Sequence, residues 1–436
     1  CTFDNLQGVG LFGARDELNA LGLQVEWRPR EDLTLKFDYQ DSKDHSRPNS
    51  KHGSNNFVAV SGMNRITTSA HFTADGMPVL DVQLGERNTP HNQITRVDQF
   101  DVNDMQLTGS SFGTEIKRMD IQQFQFDGEF LFDAGHSLTF GFGHIEVVNR
   151  GQNRGIGRNG NAWNGLGTPG DIADLLVVDS LQGVFDGIAG GNDPRQRNEF
   201  VTWDFQAMVD RGEQYLREGS HDLKLTDPGP CLTGFCPSYD FDVDEVSRET
   251  SNSLYLQLHW VDEVFQRPIN IYAGLRYEET DVHSEAKVPW YATIDWNIVA
   301  DRYTLYRLLD EDGAAVKQFS EIDGAYDMLL PSLDFDIELT DELILRASTS
   351  ISVSRPEYTD IKGALTISSF TNDGGFGGRG NPQLVPIEAT NFDLSLEWYF
   401  SDESYVSAMF WVKDVDNFIV SETFENQPLF ESLYDP

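Results

Sequence analysis

Long apolar runs are the first thing this chain lacks. Nowhere in its 436 residues do about 18 apolar residues follow one another, so no membrane-spanning helix is expected. Basic residues are scarce too: 32 Lys and Arg stand against 71 Asp and Glu, a formal charge of −39. A phosphate backbone needs a basic footprint, and nucleic acid is therefore excluded as a partner. Cysteine is nearly absent, with three in the chain. Cys231 and Cys236 lie in PGPCLTGFCPS, flanked by Pro and Gly, which predicts a small disulfide-closed loop made in an oxidising compartment. The nine His residues show no HExxH or paired spacing, and no GxSxG elbow surrounds a nucleophile. No catalytic residue, metal or cofactor is expected, and the chain reads as a non-enzyme.

What the chain does have is strict alternation. In NFDLSLEWYF the apolar row is Phe392, Leu394, Leu396, Trp398 and Phe400, and the intervening row is Asp393, Ser395, Glu397 and Tyr399. The period of two marks a strand with one apolar and one polar face. The same pattern recurs as hairpins around RPRED, DAGHS, the turn before Pro268, LTDEL and SDES. Several strands alternate for about ten residues or more, near the length that crosses a bilayer at a tilt. The reading is all-β: an antiparallel transmembrane β-barrel, seen in part, with the apolar rows toward outer-membrane lipid. Short turns alternate with long connections, the longest over 150–249, as in barrels with short periplasmic turns and long extracellular loops. Trp27, Trp260, Trp398 and Phe400 lie beside the short turns, as an interfacial girdle would. A secreted or surface-anchored β-sandwich adhesin or carbohydrate-binding module alternates in the same way and stands as the other reading.

Within the longest connection, DIADLLVVDSLQGVFDGIAGG and RNEFVTWDFQAMVDRGEQYLREG carry helix-like apolar spacing, and short helices are expected there. Trp163 and Trp203 sit in the same region among Asn, Gly and Asp, where aromatic faces can stack on a ligand. With Arg355, near the loop-side end of a strand, they are the candidate substrate-binding residues. GIGRNG and GFGGRG match GxGxxG, but no helix opens after either, which removes the dinucleotide reading. Asp240, Asp242 and Asp244 alternate like the start of a calcium loop. The sixth and twelfth positions are Glu245 and Ser251, so a solvated acidic strand face is expected instead.

The stretch LLPSLDFDIELTDELILRASTSISVSRPEYTDI, followed by GRGNPQLVPIEATNFDLSLEWYF and VKDVDNFI, resembles the barrel of TonB-dependent outer-membrane transporters. INIYAGLRYEETDV and SLYLQLHW extend the likeness upstream. The motif style is nearest the proteobacterial branch often associated with oligosaccharide uptake. The resemblance implies a 22-stranded barrel in the cell outer membrane, closed by an N-terminal plug whose short coupling box recruits TonB. It implies energy-coupled uptake of a scarce nutrient, an oligosaccharide or other small molecule such as a metal chelate. Residues 1–436 are expected to be a barrel fragment, with the plug and the closing strands outside it.

Overall fold

A computed structural model of the chain describes residues 3–72, 76–88, 93–97, 100–132, 135–157, 166–217, 235–297, 302–311, 316–363, 365–371 and 374–425. The strands, in chain order, begin with β1 (Phe3–Phe12), β2 (Ala14–Arg30), β3 (Leu33–Pro48), β4 (Asn55–His71), β5 (Val79–Asn88), β6 (Gln93–Val97), β7 (Gln106–Leu131) and β8 (Ser137–Gly157). After them come the short β9 (Val177–Ser180) and β10 (Glu199–Thr202), the helix α1 (Phe205–Arg217), then β11 (Val243–Val264) and β12 (Arg267–Pro289). The chain continues with β13 (Tyr291–Asn297), β14 (Arg302–Arg307), β15 (Lys317–Thr340), β16 (Leu343–Ser354) and the single turn α2 (Tyr358–Ile361). It closes with β17 (Thr366–Thr371), β18 (Gly374–Gly378), β19 (Ile387–Ser401) and β20 (Ser404–Asp416). Two compact units result: Cys1–Arg15, Arg47–Ile116 and Asn153–Phe241 form unit 1, and Asp16–Ser46, Lys117–Gln152 and Asp242–Pro436 form unit 2.

Unit 2 is an antiparallel wall in which neighbouring strands run β20, β19, β16, β15, β12, β11, β8, β7, with β3 beside β7 and β2 beside β3. The tight turns fall where the alternation breaks, at Glu31–Asp32, Phe265–Gln266, Asp341–Glu342 and Asp402–Glu403. Phe265 and Gln266 both hold positive φ, 52° and 62°. That is the type I′ geometry whose twist matches paired strands. From this turn the β11–β12 ladder runs unbroken from Val264↔Arg267 to Asp244↔Lys287. The β12–β15 ladder extends as far, from Ile269↔Ile337 to Pro289↔Lys317.

Register decides what each face carries, because every second side chain shares a face. Leu254 lies opposite Tyr277, and Tyr277 opposite Leu329. All three are large and exposed. Two residues farther from the turn, the same face carries Asn252, Glu279 and Asp327. The apolar face thus stops at one level across three strands. From the turn to Tyr277 is about eleven residues, roughly 36 Å of strand, which a tilt near 45° reduces to about 25 Å of height. Phe392, Leu394, Leu396, Trp398 and Phe400 are likewise exposed on one face of β19. A sandwich would cover such a face with a second sheet; here the large apolar side chains are open along the wall, and the β-sandwich reading falls away.

Unit 1 is built differently. β4 pairs with β1 along Asn5–Phe12, with β5, and with the first part of β7. An apolar cluster of Val58, Val60, Met105, Leu107, Phe112 and Phe235 is closed by Leu166, Ile172, Val201, Trp203, Met208 and Val209. The Phe112 and Phe235 rings meet edge-on at 5.3 Å. The long connection supplies more than half of this cluster. Its expected helices form only in part. RNEFVTWDFQAMVDRGEQYLREG folds as β10 and α1, whereas DIADLLVVDSLQGVFDGIAGG gives a single 3-10 turn at Ala173–Leu175, then β9 and a run of turns. Gly183 and Gly190 hold φ of 84° and 87°. Left-handed backbone at two points interrupts any helix that the apolar spacing suggests.

Candidate binding site

The polar face of unit 2 carries a closely hydrogen-bonded group of side chains. β11 presents Glu249, Ser251, Ser253 and Tyr255 in alternation, and β12 presents Arg276, Glu278 and Thr280. Glu278 is 7% exposed, and two guanidinium groups reach it. Arg276 Nη2 is 2.9 Å from one carboxylate oxygen, and Arg355 pairs with the other. Arg355 Nη2 also donates to Ser251 Oγ at 3.0 Å, and Ser251 and Thr280 share a hydroxyl hydrogen bond of 2.7 Å. An isolated buried carboxylate would be costly; two charge-assisted partners offset its desolvation. Beside them, Gln125 Nε2 donates to Asp127 at 3.0 Å and the Tyr255 hydroxyl donates to the same carboxylate.

Ser251, Tyr255, Arg276, Glu278 and Arg355 line a cavity of about 220 Å³, completed by Gln123, Gln125, His144 and Ser253. Its walls offer amides, hydroxyls, an imidazole and paired charges. That inventory suits a polar ligand held by hydrogen bonds.

Of the residues singled out from sequence, Arg355 is placed at this cavity. Trp203 is not: it is 8% exposed within the apolar cluster of unit 1, so it packs that unit and presents no open stacking face. Trp163 lies outside the described residues. Cys236 is disulfide-bonded, and Cys231 lies outside the described residues. Asp244 accepts hydrogen bonds from Nε and Nη2 of Arg150 at 2.8 and 2.7 Å, and Asp242 pairs with Arg307 at 2.6 Å. Asp244 is thus paired to β8 of the wall and Asp242 to β14. Sequence reasoning missed Glu278, Ser251, Tyr255 and Asp127. The signal available was the polar row itself, Ser-x-Glu-x-Ser-x-Ser-x-Tyr from Ser247, alternating with the apolar row that marked the hairpin.

A wall of long antiparallel strands, tight turns at one end, and apolar and polar faces split by register defines an outer-membrane β-barrel protein. A family model described as TonB dependent receptor-like, beta-barrel, matches residues 4–430. The chain belongs to the TonB-dependent receptor family, of which it carries β-barrel sequence. No curated protein matches. Among solved structures, it is similar to the Serratia marcescens hemophore receptor HasR, in complex with its hemophore HasA and heme, at 12% identity and a TM-score of 0.33. That likeness covers 95% of this chain and 45% of HasR. The ferric-catecholate import receptor Fiu from K12 E. coli gives 10% identity and 0.40, over 95% and 54% of the two chains. The ferric citrate transporter FecA in its unliganded form gives 10% and 0.34, over 98% and 53%. The chain thus spans about half the length of these solved chains. At such scores they add nothing to the family assignment, which rests on the family model.

Proposed function

We propose that this chain forms wall and loop structure of an energy-coupled outer-membrane importer for a scarce nutrient, an oligosaccharide or a metal chelate. The observation that carries the reading is the two-faced wall: an apolar band of about bilayer height on one face and the Arg276–Glu278–Arg355 cavity on the other. In this reading Phe392, Leu394, Leu396, Trp398 and Phe400 face lipid, and Asp393, Ser395 and Glu397 face the lumen. The connection over 150–249 lies outside the cell, and its packed core presents a shaped surface to the medium. Energy reaches the barrel through TonB acting on a plug supplied by the rest of the receptor. Arg355, Ser251 and Glu278 contact cargo or groups that guide it.

The test is growth and accumulation with the intact gene deleted and restored. The panel is ferric citrate, a ferric catecholate, heme and maltodextrin, each as the limiting nutrient. The expected result is loss of one class of nutrient on deletion, recovery on complementation, and collapse of uptake when an uncoupler de-energises the inner membrane. Uptake that survives the uncoupler would mark a passive pore and end the energy-coupled reading.

A further inference from the structure

The segment after β16 folds back onto the polar face and lies along it. Arg355 pairs with Glu278, the Tyr358 hydroxyl lies close to the Glu249 carboxylate, and Lys362 Nζ is 2.6 Å from Glu245. At the end of the segment, Gly363 N donates to Ser284 Oγ at 3.0 Å. Between these anchors Ile361 is fully covered against Val282, Tyr326 and Met328. Glu278 stands opposite Ser253 in the ladder and Glu245 opposite Ala286. The strap therefore follows the wall for eight residue pairs, roughly 26 Å. A second layer holds it: Gly380 N donates to Lys362 O at 2.8 Å and Asn381 N to Asp360 O at 2.6 Å. That layer presses so closely on β15 that a Cβ at Gly324 would stand 2.1 Å from Pro382 O.

The strap is bound to the wall by side chains. Among the described residues, its backbone–backbone hydrogen bonds run within itself and to Gly380 and Asn381, and none joins the ladders of β11, β12 or β15. Its three charged or phenolic anchors all end on carboxylates of the polar row. Such contacts exchange one partner for another without breaking a sheet. Arg355 is also a wall of the 220 Å³ cavity. A ligand that engages Arg355 or Glu278 there competes directly with the first anchor.

We propose that Arg355–Gly363 is a displaceable lid on the polar face, latched at Glu278, Glu249 and Glu245, and that occupation of the neighbouring cavity breaks its Arg355 latch and lets the whole strap lift. The lid covers Ser284, which is 1% exposed, and lifting it opens the strip between Thr280 and Ala286. The link to import rests on the uptake reading above; the latch itself does not.

Two experiments on the intact gene product in outer membranes test this. In the first, Ser284→Cys reports opening by its rate of maleimide labelling, read on the isolated peptide. Adding Arg355→Ala should raise that rate at least about tenfold, the effect of losing about 1.4 kcal/mol of latch. Arg355→Lys should restore much of the protection. Heat-modifiable migration of the barrel should stay unchanged in all three. Equal labelling with and without Arg355 would overturn the latch. In the second, Gly363→Cys with Ser284→Cys locks the lid. A Cβ at Gly363 lies 3.4 Å from Ser284 Oγ, within disulfide reach, once Ile322 Cδ1 yields a few tenths of an ångström. Oxidation should block uptake of whichever panel nutrient the parent accumulates, and reductant should restore it. Full uptake with the bond closed refutes a role for the lid in passage. If the parent accumulates none of the panel, the uptake reading fails, while the labelling ratio still decides whether the strap opens.

Discussion

Leu396→Arg places a charge where the proposed orientation puts lipid, and the structure sets its depth. Leu396 is exposed on β19, opposite Leu345 of β16 and Ala408 of β20. It lies six residues before Asp402 in the turn, or about 20 Å of strand, which a tilt near 45° converts to about 14 Å of height. That is close to the middle of a band about 25 Å tall. An Arg on the lipid face at the midplane costs about 2–4 kcal/mol, a factor of roughly 30 to 900 in the folding equilibrium. The neighbouring Ser395→Arg points to the other face and should cost about 1 kcal/mol or less. The assay is the folded fraction of the full gene product against urea in lipid vesicles, read by heat-modifiable migration. Equal midpoints for the two variants would refute the assignment of faces.

Phe112→Ala should destabilise unit 1 by about 3–5 kcal/mol, because Phe112 is fully buried against Phe235 and Val58. Limited proteolysis should then cleave 166–217 faster while the strand wall stays intact. Trp203→Phe should keep that packing and Trp203→Ala should loosen it. A change in ligand affinity with unchanged protease resistance would instead restore Trp203 as a contact residue. Replacing Phe265 and Gln266 by Asn and Gly should stabilise the β11–β12 hairpin by about 1–2 kcal/mol, since both now hold positive φ and Phe265 is 95% exposed. Urea midpoints check this, and a fall would mean that the Phe265 side chain anchors the turn. In Tyr358→Phe the lid loses its hydroxyl contact with Glu249. Burial, and then that carboxylate, push the Tyr358 hydroxyl above its ordinary range, so it stays neutral at physiological pH. Labelling of Ser284→Cys should rise modestly in this variant, and less than in Arg355→Ala.

The wall was legible because register and alternation are one fact seen twice. Leu254, Leu256, Leu258 and Trp260 name their face from sequence, and pairing with Tyr277, Leu275, Ala273 and Ile271 confirms it. The strap was not legible. RPEYTDI reads as a loop leaving the barrel, and nothing local says that Arg355 turns back toward Glu278, 77 residues earlier. That contact depends on β12 and β16 each flanking β15, a long-range arrangement that no short pattern encodes. The helix expected over 171–191 fails for a local cause: Gly183, Gly187, Gly190 and Gly191 lower its helix propensity despite the apolar spacing. Trp203 shows the opposite limit, since an aromatic beside polar neighbours looks the same whether it stacks on cargo or fills a core.

The level at which the apolar face stops also fixes how deep the wall can sit. In the proposed orientation, lowering the strands by one pair of residues would draw Glu279 and Asp327 toward the hydrocarbon. Raising them would lift Trp260, beside the tight turn, out of the interfacial zone. Each displacement is opposed by a different chemistry, an ionic penalty in one direction and a lost aromatic anchor in the other. Three strands switch character together at Asn252, Glu279 and Asp327, so the wall behaves as a float with a painted waterline. In that orientation a push from the lumen side meets opposition to vertical movement of the strands in both directions.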